Sequence, residues 1–249
     1  MGWGNEAVLW VARTAAAMPG AAVLVPLMPP WGLLTVAFGM TWLALWRSRM
    51  RLAGVAVIIV GLVSPGLVRP PDLLVSAEAR LIGVRTSAGV YLQQVSGASK
   101  FTRDAWLHYW AADTPHPFPT EGAAAEGMIE CAKDVCLLRP LAGAKGALLV
   151  RGAAHPAGCG EAGVIVSAEP ARGLCPRPWP ALVDRFTVWR YGATAIWLDG
   201  TRARVLTDRA YRGVRPWVPP PPVPRSRQVP ALPPARTDAQ AHVTEWAVE

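Results

Sequence analysis

The sequence predicts an α-helical membrane hairpin, a mixed, strand-rich α/β domain behind it, and a disordered proline-rich tail. Three observations carry this prediction. Two charge-free runs, 31–46 and 52–68, flank a short arginine-rich loop. From residue 70 onward, short apolar runs alternate with turn residues, the pattern of strands and hairpins. After Trp217 the periodicity ends and prolines crowd together.

Composition supports the membrane part. The chain has 249 residues, is 52% hydrophobic and only 17% charged, against about 25% charged in an average soluble domain. Lys+Arg total 25 against 17 Asp+Glu, a net charge of +8. Such a surplus suits phosphate backbones or anionic lipid headgroups, although the dominance of Arg over Lys is also what GC-rich codons produce.

The elements follow in order. Residues 5–18 read as a short helix with Asn5 as N-cap and Pro19-Gly20 as its stop. Val8, Trp10 and Val11 give it apolar character, and a place in the membrane interface suits it. It is no signal peptide, because no basic segment precedes it and Glu6 stands at its front. Spans are expected at about 29–46 and 52–68, each near the minimum of roughly 17 residues. Arg47, Arg49 and Arg51 between them hold the connecting loop in the cytoplasm under the positive-inside rule. The domain 70–218 then lies on the far side, in the periplasm of a Gram-negative cell. Residues 1–69 form the membrane part and 219–249 the tail.

Within the domain, 70–94 reads as strands and turns, 99–112 as a helix with Ser99 as N-cap, and 113–122 as a proline-rich loop. "MIECAKDVCLL" reads as a hairpin, and 145–152 and 162–168 as buried strands. Residues 180–192 read as a helix opened by a proline and closed by Gly192. Residues 193–207 read as a hairpin turning on Asp199-Gly200.

The motifs for chemistry are sparse. His108, His116, His155 and His242 form no HxH, HExxH or HxxxH pattern. Cys131, Cys136, Cys159 and Cys175 have C-x4-C and C-x15-C spacing, not the tight knuckles of a zinc site. No nucleophile elbow or phosphate loop is present. The residue types therefore nominate no catalytic, metal or cofactor site. If Lys133-Asp134 is a two-residue turn, Cys131 faces Cys136 at roughly 4.5 Å between Cα atoms. Outside the cytoplasm that pair becomes a structural disulfide, with Cys159–Cys175 as a second. Arginines near aromatic residues, notably Trp189, Arg190, Arg202 and Arg204, suit single-stranded DNA. An ordinary solvated strand face over core tryptophans suits them better on these residues alone.

The stretches "PPDLLVSAEARL", "CAKDVC", "LVDRFTVWRYGATAIWL" and "RGVRPW" resemble the C-terminal part of the ComEC-type DNA-internalisation (competence) proteins of alphaproteobacteria. The resemblance covers residues 1 to about 218. It implies an inner-membrane, multi-pass protein of natural transformation that passes one DNA strand inward. It also implies an outer domain related to the metallo-β-lactamase fold. Many members carry HxHxDH there, a metal motif linked to nuclease activity; this sequence lacks it. The domain is thus expected to be a degenerate, non-catalytic version that contacts DNA or supports the channel. The chain is expected to be a fragment or split partner, completed by the remaining channel helices. The alternative expectation is a two-span envelope protein whose outer domain has a structural or protein-interaction role unrelated to DNA.

Overall fold

The computed structural model describes residues 2–21, 24–139, 145–152, 158–176, 181–199 and 203–220. Arg202, His155, His242 and the tail beyond Pro220 lie outside these residues. Three helices open the chain: α1 (Gly2–Ala16), α2 (Pro30–Leu45) and α3 (Leu52–Leu67). α1 begins three residues before the expected Asn5 cap, so Asn5 sits inside it. Every described residue of α1 is exposed, Trp3 at 92%.

α2 and α3 pack as an antiparallel hairpin through a seam of small residues. Gly32, Gly39, Gly54, Gly61 and Ser64 are buried, while the larger apolar side chains point outward. A Cβ on Gly39 would stand 2.8 Å from the Gly54 carbonyl oxygen, and one on Gly61 would stand 2.9 Å from that of Gly32. Only glycine lets the backbones come this close, the usual device of helices that pack without a hydrophobic driving force. The run Arg49–Leu67, 19 residues, is long and apolar enough to cross a membrane, whereas Pro30–Leu45 is shorter. Arg47, Arg49 and Arg51 are exposed on the connecting turn. The Trp42 indole N–H holds that turn by donating to the Met50 carbonyl at 3.1 Å.

Among its described residues the α/β domain holds twelve strands: β1 (Leu73–Val75), β2 (Leu81–Thr86), β3 (Gly89–Gln94), β4 (Pro115–Pro117), β5 (Gly122–Ala124), β6 (Ile129–Ala132), β7 (Val135–Leu138), β8 (Gly146–Val150), β9 (Ala162–Ser167), β10 (Ala181–Val183), β11 (Thr194–Trp197) and β12 (Arg204–Thr207). Its helices are α4 (Lys100–Tyr109), α5 (Arg185–Tyr191) and α6 (Asp208–Arg212). One mixed sheet runs β12-β11-β1-β2-β3-β4 and the other β10-β9-β8-β7-β6-β5. The sheets stack face to face. Leu73, Val75, Ile82, Val84 and Ile196 of the first interleave with Ile129, Leu138, Leu149, Val164 and Val166 of the second. Period-two alternation sends Leu74, Leu81, Val90 and Leu92 to the outer face, under Leu107 and Trp110 of α4. Leu148, Val150 and Ile165 on the opposite outer face are covered by the segment around Ala171 and Cys175.

The junction between helices and sheets is clamped. The indole N–H of Trp197 donates to the Arg69 carbonyl and that of Trp110 to the Pro71 carbonyl, both at 3.1 Å. Asp72 pairs with Arg69 at 2.9 Å and accepts from the Leu198 amide at 2.8 Å.

Several sequence expectations need correction. The proline-rich loop contains β4, which pairs parallel with β3. The helix expected from 180 begins at Arg185, because Ala181–Val183 pair as a strand with Val164–Val166. Ser99 does cap α4, its hydroxyl accepting from the Thr102 amide at 3.3 Å. The buried face of that helix is Leu107 and Trp110, while Phe101 is 83% exposed. The hairpin expected over 193–207 is present, with Thr194–Trp197 pairing antiparallel with Arg204–Thr207, and residues 200–202 of its turn lie outside the described residues.

Candidate functional site

The candidate site is built around α5, which crosses from β10 of one sheet to β11 of the other. Asp184 starts the helix. Its side chain is fully buried and accepts from the Thr187 amide and hydroxyl, both at 2.9 Å, and from the Ala171 amide at 3.4 Å. Gly192 ends it with φ 81°, a conformation that penalises any side chain. Val188 turns inward to the inter-sheet core. At roughly 100° per residue, the opposite side places Arg185, Trp189, Phe186 and Arg190 in that order on one arc. Phe186 and Trp189 are each 52% exposed.

Arg185, Phe186 and Trp189 of this arc form one wall of an open cleft of about 800 Å³. The other walls are Ala77–Arg80 after β1, Val95 and Ser96 after β3, and Ala168–Pro170 after β9. The cleft thus lies across the rim where both sheets end. Two cations, Arg80 and Arg185, and two carboxylates, Glu78 and Glu169, line it. Among the described residues none of these four side chains makes a hydrogen bond or ion pair. Aspartates elsewhere on the domain do pair with arginines, as in Asp72–Arg69 and Asp208–Arg212.

Sequence reasoning missed Arg80, Glu78 and Glu169, yet a signal was present. Val75-Ser76-Ala77-Glu78 and Val166-Ser167-Ala168-Glu169 are the same tetrapeptide. The two copies end β1 and β9. In each the serine is buried and its hydroxyl accepts a backbone amide at 3.1 Å, that of Leu81 or that of Glu169. The turns differ, since Ser76 accepts from a residue five positions on and Ser167 from one two positions on, yet each copy brings a glutamate to the same cleft.

Beside α5 lies α6, capped by Thr207, whose hydroxyl accepts from the Ala210 amide at 3.2 Å. It displays Tyr211, 76% exposed, and Arg212, which pairs with Asp208 at 3.3 Å. Arg215 stands over the exposed Trp217 ring at 5.7 Å. Of the four residues nominated for DNA contact, Trp189 and Arg190 fall on the α5 arc. Arg204 is on β12, with its guanidinium 4.0 Å from the centroid of the Trp197 ring that clamps the Arg69 carbonyl. Arg202 lies outside the described residues.

The cysteines pair as the turn geometry predicts. Cys131 and Cys136 are register partners across the β6–β7 hairpin and form a disulfide with Cα atoms 4.0 Å apart. Cys159 and Cys175 form the second, with Cα atoms 5.7 Å apart. Arg151 reaches the first pair: its guanidinium donates to Cys136 Sγ at 2.8 Å and to the Pro119 carbonyl at 2.9 Å. Burial lowers the Arg151 pKa from its ordinary value, and Asp134 opposes the shift. Among the described residues no group of three or more His, Cys, Asp or Glu is placed to hold a metal ion. No protein-family pattern, curated protein or solved structure matches the chain.

Proposed function

We propose that the chain is a membrane-anchored DNA-contact protein of the inner membrane, with α2 and α3 as its spans and the α/β domain in the periplasm. Remaining channel helices, supplied by a partner, complete a DNA-uptake path, and the domain touches the incoming single strand. The observation that carries this reading is the α5 arc, where two exposed rings lie between two arginines. Rings stack on bases of any sequence while arginines follow the phosphates. The neighbouring helix α6 adds the exposed Tyr211 ring. The small-residue seam and outward apolar side chains of α2 and α3 support the anchor. The wholly exposed α1 suits lipid or partner helices. The two disulfides support an oxidising compartment. The reading assigns the domain no nuclease step.

The test is binding of a fluorescein-labelled 20-nucleotide strand to the full chain in detergent micelles. Three or four arginine–phosphate contacts predict an affinity that falls roughly 20- to 50-fold between 50 and 200 mM salt. Absence of binding at low salt would favour the second reading, an interaction domain for protein. The unpaired Glu78 and Glu169 are the observation on that side.

A further inference from the structure

The cleft beside α5 holds an unusual set of groups for a strand-binding surface. A phosphate-tracking groove needs only cations and rings. Here two carboxylates are added, each carried by a copy of the sequence Val-Ser-Ala-Glu. No cation among the described residues lies within ion-pair distance of them. A ligand that satisfies the whole set must offer anionic oxygens for Arg80 and Arg185, a flat ring for Phe186 and Trp189, and N–H donors for Glu78 and Glu169.

Nucleotides with amino-bearing bases meet all three requirements. Guanine presents its N1–H and N2 amino group side by side, a pair that one carboxylate accepts. Cytosine offers its N4 amino group, the usual partner of Glu or Asp in base recognition. Thymine offers one N–H between two carbonyl oxygens, and a carboxylate facing that edge is repelled. Single-stranded bases expose these edges to side chains. Resting on the DNA-contact reading above, we propose that this cleft is a base-reading pocket. It admits a nucleotide of the single strand, stacks it on Trp189 and Phe186, and selects guanine over thymine through Glu78 and Glu169.

The experiment compares two fluorescein-labelled probes on the full chain in micelles: a dT12 strand, and the same strand with its three central positions replaced by dG. The proposal expects about tenfold tighter binding of the guanine-bearing strand. Glu78→Gln with Glu169→Gln removes that preference and tightens dT12 binding, because no carboxylate then repels the thymine edge. Both glutamates are exposed, so the variant retains the fold, which circular dichroism checks. Trp189→Ala lowers affinity for both strands. Equal binding of the two strands overturns the pocket while leaving DNA contact standing. A preference that survives the double glutamine variant overturns it as well. If neither strand binds at low salt, the DNA-contact reading itself fails.

Discussion

Removal of the Asp184 carboxylate should loosen α5 and everything it displays. In Asp184→Ala, the Thr187 amide and hydroxyl lose an acceptor at 2.9 Å and the Ala171 amide loses one at 3.4 Å. Loss of a helix N-cap costs about 1 kcal/mol, with a range of roughly 0.5–2. Ala171 is buried, and a buried donor left without a partner adds about 1–3 kcal/mol. The total is roughly 2–4 kcal/mol, a large part of the ~5–15 kcal/mol typical of a domain. Asp184→Asn keeps an oxygen for Thr187 and turns an amino group toward Ala171, so it should fall between wild type and alanine. The assay is urea unfolding of the full chain in micelles, followed by tryptophan fluorescence. An alanine variant within about 0.5 kcal/mol of wild type would refute the reasoning, because a cap alone costs that much.

Other expectations follow from single features. Cys159→Ala with Cys175→Ala opens a loop of separation 16 and should cost roughly 3 kcal/mol, whereas the Cys131/Cys136 pair, separation 5, should cost roughly 2; urea midpoints of the two double variants rank them. Thiol alkylation of protein recovered from the cell envelope without reductant should label none of the four cysteines, and labelling would contradict the periplasmic placement. Gly39→Leu drives a side chain against Ile58 and the Gly54 carbonyl, so it should cost about 1–3 kcal/mol by overpacking and lower the melting temperature in micelles. Lys133→Gly removes a β-carbon from a backbone at φ 50°, and should raise the urea midpoint by about 1 kcal/mol of stability.

The elements visible in the sequence were those whose signals are local. Charge-free runs, an arginine turn, the Ser99 cap and the two-residue Lys133-Asp134 turn each need only neighbouring residues. The Cys131–Cys136 pairing followed from that turn by counting. Signals that depend on distant partners failed. Residues 181–183 look helical beside Asp184 but pair with β9. The cleft was hidden for the same reason. Glu78 and Glu169 are 91 positions apart, and only the stacking of two sheets brings them to one rim. The repeated tetrapeptide hinted at equivalent turns, but repetition says nothing about where the two copies meet. Arg204 shows the converse: proximity to aromatics in sequence was real, yet its ring partner is Trp197 across the hairpin.

The most direct measurement of the central claim is photochemical. A single strand carrying 5-bromouracil would be irradiated with the full chain in lipid nanodiscs, and the attached peptides mapped by mass spectrometry. The account predicts adducts on Phe186, Trp189 and Tyr211, reduced when Arg185→Ala and Arg190→Ala are combined. Adducts confined to other aromatic residues, or none at low salt, would contradict it.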